Sequence, residues 1–492
     1  MKQNFRNKKQ VTTLIKQTLY NSTAQAIIKL IETPHFSLKF FLFICVIISS
    51  GLCSFLIIQL IFNYLSYYVL TISRILYETP ALFPKITVCN VNPFTTQYAV
   101  EFLKQINKDL YPNIDIFNES QMIKLNFSLK NELINGIKNS ARYKMNSLNE
   151  TEQKQLSHSL KDMMPSCYFN QEECSAKHFD WYFDPYYGNC WTFNSGQKGP
   201  LVNNSFPGEF YGFRMDLYVN FFDKLNSINS YSGGLGALIR IGNSSYLTSY
   251  YPRDGIKIEP GQVTSISVSR SFKNSLPKPY SDCLIDNQTN GDFKSELFDL
   301  ILNSKYLYTQ PTCFLLCLQR TILLECNCTD PVLISLFPNA SRCLTKNQTE
   351  CMSNLYMKKL YKNEFVQNKC LAGCPLECYL EQFDTSLSSY EIMPIYYLDY
   401  LNAHSNLLKD FSTSEVELET ARKSFVYFRI FYKVLSYEMS KELPQTDLIW
   451  LFIGIASYLG ILLGLNVFSI FEPIVVLIEI FLMNVLKSTN SV

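Results

Sequence analysis

Residues 40–62 (FFLFICVIISSGLCSFLIIQLIF) carry no charged side chain over 23 positions. A helix needs about 20 mainly apolar residues to cross the hydrocarbon core of a bilayer, so this segment restricts the chain to membrane architectures. A cleaved signal peptide is the rival reading. Its apolar region would be about 7 to 15 residues long and nearer the start of the chain. A second uncharged run covers residues 448–471, and beyond Glu472 the apolar pattern resumes to Leu486. Two spans predict that both termini share one side of the membrane.

Charge sets the side. Lys2, Arg6, Lys8, Lys9, Lys16, Lys29 and Lys39 precede the first span, against Glu32 alone. Flanks rich in Lys and Arg stay cytoplasmic, so both termini are expected in the cytoplasm and the middle segment outside the cell. Net charge over the 492 residues is only +2, which does not imply a nucleic-acid partner.

The cysteines point the same way. Cys45 and Cys53 lie in the first span and read as small apolar packing residues, while the remaining 14 of 16 fall between Cys89 and Cys378. An even number in a non-cytosolic segment predicts a disulfide framework. The spacings fit no zinc pattern and histidine is scarce, so no metal site is expected. Asn-x-Ser/Thr acceptors at Asn118, Asn126, Asn149, Asn203, Asn243, Asn287, Asn339 and Asn347 crowd the same segment and predict glycosylation there. Asn21 also fits the pattern, but the expected topology leaves it unused in the cytoplasm.

Local patterns divide the middle segment. FPKITVCNVNPF at 83–94 reads as a strand followed by a turn. Helical periodicity recurs at 100–109 and 150–164. MDLYV, ALIRI and SISVS, between 190 and 273, alternate with Gly/Pro/Asn turns and predict a sheet. CFLLCLQRTILLEC at 313–326 predicts an amphipathic helix with Cys313 and Cys317 on one face. Cys370, Cys374 and Cys378 are also four apart, but Pro375 argues against a helix. An extended strand would likewise place all three on one face.

The second apolar segment would form a helix of roughly 58 Å at 1.5 Å per residue over 448–486. The hydrocarbon core is only about 30 Å, so the helix must tilt, project beyond the bilayer or break. Gly460 and Gly464 form a GxxxG pair, one turn after Ser457, that could let helices approach closely. Asn466, Ser469 and Glu472 are polar groups at membrane depth, where they face a partner helix or a water-filled path. Simple helix dimerisation and a pore both fit this pattern.

Taken together, these residues resemble the degenerin/epithelial sodium channel family, which includes acid-sensing and peptide-gated channels. FPKITVCNVNPF is similar to its motif after the first span. GNCWTFNSG (188–196) resembles its Cys-aromatic-Thr-Phe-Asn motif, and IEPGQVTSISV (258–268) its Pro-Gly-x-x-Thr strand entry. LPKPYSDC (276–283) resembles its turn before the first thumb cysteine. CFLLCLQRTILLECNC resembles its thumb helix, and SYLGILLGLNVFSIFE (457–472) its pore segment. The six motifs occur in the family's order over nearly the whole chain.

The resemblance implies an α+β membrane protein whose two transmembrane helices flank a large disulfide-rich extracellular domain. It implies a cytoplasmic tail over 1–39, helix 1 over 40–63 and the extracellular domain over 64–446. Helix 2 with the pore would cover 447–486, and a short tail 487–492. Within the extracellular domain it implies a finger at about 95–185 and a thumb at 283–378. The palm and β-ball would be built from about 83–94, 188–280 and 379–437. The implied function is that of a pore-forming subunit of a trimeric, amiloride-sensitive channel at the plasma membrane, passing Na+ down its gradient without catalysis or cofactor. Its partners would be membrane lipid, family subunits in a homo- or heterotrimer, and an extracellular peptide or proton as ligand. The implied bridges are Cys89–Cys190, Cys167–Cys174, Cys283–Cys378, Cys313–Cys374, Cys317–Cys370, Cys326–Cys351 and Cys328–Cys343.

Three positions depart from the family pattern. Its cytoplasmic His-Gly gating motif falls on Gln25-Ala26. Its Gly-x-Ser filter falls on Gly464-Leu465-Asn466, which predicts weaker preference for Na+ over K+. The wrist tryptophan of acid-sensing members falls on Tyr280, expected to pack on Tyr67 and couple the thumb to the pore. Non-helical backbone at Gly464 is expected to form the narrowest ring, a ring of carbonyls and Asn466 amides facing the ion, with Glu472 concentrating cations at the inner mouth. A non-conducting regulatory subunit of the family is the principal alternative. A two-pass scavenger or adhesion receptor would lack the polar stripe. An ATP-gated channel would need a basic cluster that is absent, and an enzyme would need a nucleophile–base pair that is absent.

Overall fold

The computed structural model describes residues 29, 33–197, 199–219, 234–243, 255–285, 295–304, 307–333, 335–360, 362–391, 422, 424–466, 469, 471–472, 474–475, 477–478 and 481. The chain forms two compact units, Met1–Ile72 with Glu442–Val492, and Ser73–Lys441.

In the first unit, a 30-residue helix, Phe36–Leu65, buries only Cys53. Phe40, Phe41, Phe55 and Phe62 project outward. At 1.5 Å per residue the helix is about 45 Å long. It is the one described helix that is long and apolar enough to cross a membrane. A shorter apolar helix, Leu448–Leu463, packs against it. Asp447 starts this second helix, its carboxylate accepting the Trp450 N–H at 2.8 Å. That bond satisfies one of the four amides a helix leaves unpaired at its start.

The second unit is built on two large sheets. In the five-stranded sheet the spatial order is Ile256–Ile258, Ala237–Gly242, Lys85–Asn90, Gly188–Phe193, Phe179–Asp184, antiparallel throughout. The Lys85–Asn90 and Gly188–Phe193 strands are buried along their whole length. Cys89 stands directly opposite Cys190 and is bridged to it, with a Cα–Cα distance of 4.4 Å. That spacing matches the narrow class of antiparallel pair, about 4.5 Å across.

In the seven-stranded sheet the main path runs Tyr379–Glu391, Gln262–Asn274, Phe425–Pro444, Phe213–Tyr218, Ser166–Phe169, Glu172–Glu173, and Val69–Tyr77 pairs with Phe425–Pro444. Gln262–Asn274 pairs in parallel with Phe425–Pro444, and the other neighbours along the main path pair antiparallel. One apolar core serves both sheets. Its rings run from Phe179 to Phe193 (5.6 Å), Phe213 (4.8 Å) and Phe428 (6.0 Å). Such pairs contribute about 0.5–1.5 kcal/mol each beyond area burial.

Two helices, Gln97–Leu110 and Phe127–Met145, share a separate core containing Leu103, Ile106, Leu133 and Ile137. The sequence's helical stretch at 150–164 is two short helices, Glu150–Gln155 and Leu160–Met163. Asn149 and Glu152 cap the first reciprocally.

The cysteine-rich stretch is organised by the Gln310–Cys326 helix, capped by Thr309. Two bridges tie it to the chain segment ahead of Pro375: Cys313–Cys374 and Cys317–Cys370. That segment corrects the extended strand expected for Cys370–Cys378. Residues Asn363–Gly373 form successive helical turns, and strand geometry starts only at Tyr379. Proline excludes the helix at its own position and disfavours it one residue earlier. It places no such limit on Cys370, so a four-residue helical spacing faces a four-residue helical spacing. The remaining bridges are Cys167–Cys174, Cys283–Cys378, Cys326–Cys351 and Cys328–Cys343. Cys45 and Cys53 are unbridged.

Candidate pore segment

The Leu448–Leu463 helix stops at Gly464, whose φ of 66° and ψ of 21° place it in the left-handed region. Glycine enters that region without the Cβ penalty that other residues meet. The Gly464 N–H donates to the Gly460 carbonyl at 3.0 Å, and the Leu465 N–H donates to the Leu459 carbonyl at 3.2 Å. This is the left-handed glycine termination common at helix ends.

Helical geometry is next described at Ser469. The Asn466 Oδ1 accepts the Ser469 backbone N–H at 3.0 Å and lies 3.3 Å from the Ser469 hydroxyl. In return the Asn466 backbone N–H donates to Ser469 Oγ at 3.3 Å. Ser469, Phe471 and Glu472 are helical. The segment Gly464-Leu465-Asn466 is therefore a break between two helical pieces. Backbone leaving helical geometry inside hydrocarbon strands its polar groups unless protein or water meets them.

Gly460 and Gly464 do not act as a helix-contact pair within this chain. A Cβ at Gly460 would meet only the Leu465 carbonyl oxygen, at 3.5 Å, an ordinary contact. The left-handed turn at Gly464 takes it off the helical face. Close approach occurs instead at Gly454, where a Cβ would fall 2.6 Å from Leu60 Cδ2 of the first helix. The Ser457 hydroxyl is satisfied internally, donating to the Ile453 carbonyl at 2.7 Å. Glu472 is half-buried on the restarted helical piece.

The other predicted residues fall elsewhere along the chain. Tyr67 has φ of 51° just past the first helix, with its ring 6.3 Å from Tyr64. Tyr280 follows a cis Lys278–Pro279 bond and donates its N–H to the Pro277 carbonyl at 3.1 Å. The two tyrosines belong to different units. Gln25, Ala26, Asn287 and Pro473 lie outside the described residues.

Asn118, Asn126, Asn149, Asn203, Asn339 and Asn347 are exposed. The first three also cap helices through Oδ1. Asn243 differs, because its Nδ2 donates to Glu381. A further acceptor, Asn327-Cys328-Thr329, escaped the sequence reading although its tripeptide is complete; Asn327 is exposed, with φ of 53°. The capping role of Ser469 was also missed, and an Asn-x-x-Ser spacing could have signalled it. No linear pattern marked Gly454.

A family model for the amiloride-sensitive sodium channel matches residues 18–476. The FMRFamide-activated amiloride-sensitive sodium channel of Cornu aspersum is 25% identical over 97% of this chain and 84% of its own length. The epithelial sodium channel subunit gamma of Xenopus laevis is 26% identical over 65% of this chain and 45% of its own length. Degenerin del-1 of Caenorhabditis elegans is 25% identical over 67% of this chain and 46% of its own length. The chain thus spans under half the length of the last two. With 18–476 of its residues matched, it belongs to the amiloride-sensitive sodium channel family.

Proposed function

We propose that this chain is a pore-forming subunit of a trimeric, amiloride-sensitive, sodium-type cation channel at the plasma membrane, with both termini cytoplasmic. The observation that carries the reading is the helix break at Gly464-Leu465-Asn466, inside an apolar segment of a sodium-channel family member. Three copies would bring three such breaks together around one path, where exposed carbonyls replace part of an ion's hydration shell. Glu472, six residues beyond Asn466, would raise the local cation concentration. Asn466 stands where the family filter has serine, and the reading includes a weaker preference for Na+ over K+. Tyr67 and Tyr280 are proposed to couple the extracellular domain to the pore.

A non-conducting regulatory subunit is the second reading, favoured by the replacement of the family's His-Gly gating pair by Gln25-Ala26. Voltage-clamp recording from cells expressing the full chain separates the two. Acid, neuropeptides and amiloride are applied in turn, alone and with a family subunit co-expressed. An amiloride-blocked cation current from the chain alone supports the pore. Current only on co-expression, unchanged by Gly464→Ala in this chain, overturns it. In a conducting channel, Tyr280→Ala with unaltered kinetics would remove the tyrosine coupling.

A further inference from the structure

We infer that Asn466 shapes the filter as the N-cap of the restarted helix, and that its side-chain oxygen serves the Ser469 amide rather than the permeant ion. The inference rests on the pore reading but replaces one part of it: the Asn466 side chain, as a cap equivalent to serine, would no longer weaken the preference for Na+ over K+. The two side chains bond reciprocally, and the Ser469 N–H is shared between Asn466 Oδ1 and the Asn466 carbonyl at 3.1 Å. Asn466 Oδ1 accepts from the Ser469 backbone and hydroxyl, while Ser469 Oγ accepts from the Asn466 N–H. This is the reciprocal arrangement of a capping box, with serine in the place usually held by Glu or Gln.

The physical demand for such a cap is strong at this depth. A helix that starts inside a bilayer has four amides without intrahelical acceptors, and hydrocarbon supplies none. Asn, Asp and Ser are nearly equivalent caps, whereas Ala is poor. The Asn at this position therefore keeps the function that a serine hydroxyl would perform, with a longer acceptor. Gly464 ends one helix and Asn466 begins the next. On this reading the backbone carbonyls of Gly464 and Leu465 would be the groups that meet the ion.

The test pairs a structural readout with a functional one in the full-length protein. Amide exchange at Ser469 is measured by mass spectrometry on purified chain, and the Na+/K+ permeability ratio is measured from reversal potentials. Asn466→Ser and Asn466→Asp should leave both within about twofold, since both residues cap well. Asn466→Ala should raise Ser469 exchange about fivefold, as expected for a lost cap, and shift the permeability ratio. Ser469→Ala should shift the ratio in the same direction, and the double substitution should add little to either single one. A ratio altered by Asn466→Ser and Asn466→Asp, with Ser469 exchange unchanged by Asn466→Ala, overturns the inference. If no variant conducts, the pore reading fails, and Ser469 exchange still decides the capping role by itself.

Discussion

Ser166 donates its hydroxyl to Asp216 Oδ2 at 2.8 Å, from one antiparallel strand to the next. Asp216 is 1% exposed, and its Oδ1 has no hydrogen-bond partner among the described residues. Its surroundings are laid out by register: Tyr427 faces it from the third strand, and two residues along, Arg214 faces Arg429. Glu209 binds Arg429 at 2.7 Å. Burial pushes the Asp216 carboxyl up from 3.8 to about 7, opposed by the Ser166 hydrogen bond and by Arg429 and Arg214.

The sign of the stability effect follows. A carboxyl whose pKa is raised on folding binds more protons in the folded state across the interval between the two values. Stability attributable to it is then present at low pH and is lost as pH climbs from about 4 towards 7. Asp216→Asn keeps an acceptor for Ser166 and removes the ionisation. The melting temperature of the purified chain should rise at pH 7.5 and change little at pH 4. Equal shifts at both values would show that Asp216 does not titrate on folding.

The approach of Leu60 to Gly454 makes a compensation test. Gly454→Leu should destabilise the helix pair by about 1–3 kcal/mol through overpacking. Adding Leu60→Ala should recover part of that loss, because the clashing atom is a Leu60 methyl. Surface delivery and melting temperature both report on it. Failure of Leu60→Ala to recover either would place the strain of Gly454→Leu elsewhere.

Asn243 is expected to remain without a glycan although its tripeptide matches. A glycan attaches at Nδ2, the atom that donates to the half-buried Glu381. A glycan needs an exposed acceptor, and Asn118 and Asn347 are exposed. After expression in glycosylating cells, Asn118→Gln and Asn347→Gln should each increase gel mobility by one step, and Asn243→Gln should not. A mobility step from Asn243→Gln would contradict this.

Local composition alone carried the first apolar helix, the strand at FPKITVCNVNPF and the Gln310–Cys326 helix. Each is a property of neighbours along the chain: an uncharged run, a β-branched run, a 3.6-residue period. For the second apolar segment it left tilt, projection and a break open, and family likeness placed the break at Gly464. Family likeness added the seven cysteine pairs, which spacing leaves open because many pairings suit the same list of positions. Tertiary structure decided the rest. The turns around Cys370 are helical because Pro375 constrains only itself and the residue before it, while two bridges hold the segment against a helix. Gly454 rather than Gly460 marks the helix contact, since which face meets Leu60 depends on how two distant segments cross. Asn466 turns its oxygen towards Ser469, and Asp216 loses solvent, for the same reason: a side chain's polarity is written in the sequence, but its partner and its access to water are set by what folds over it.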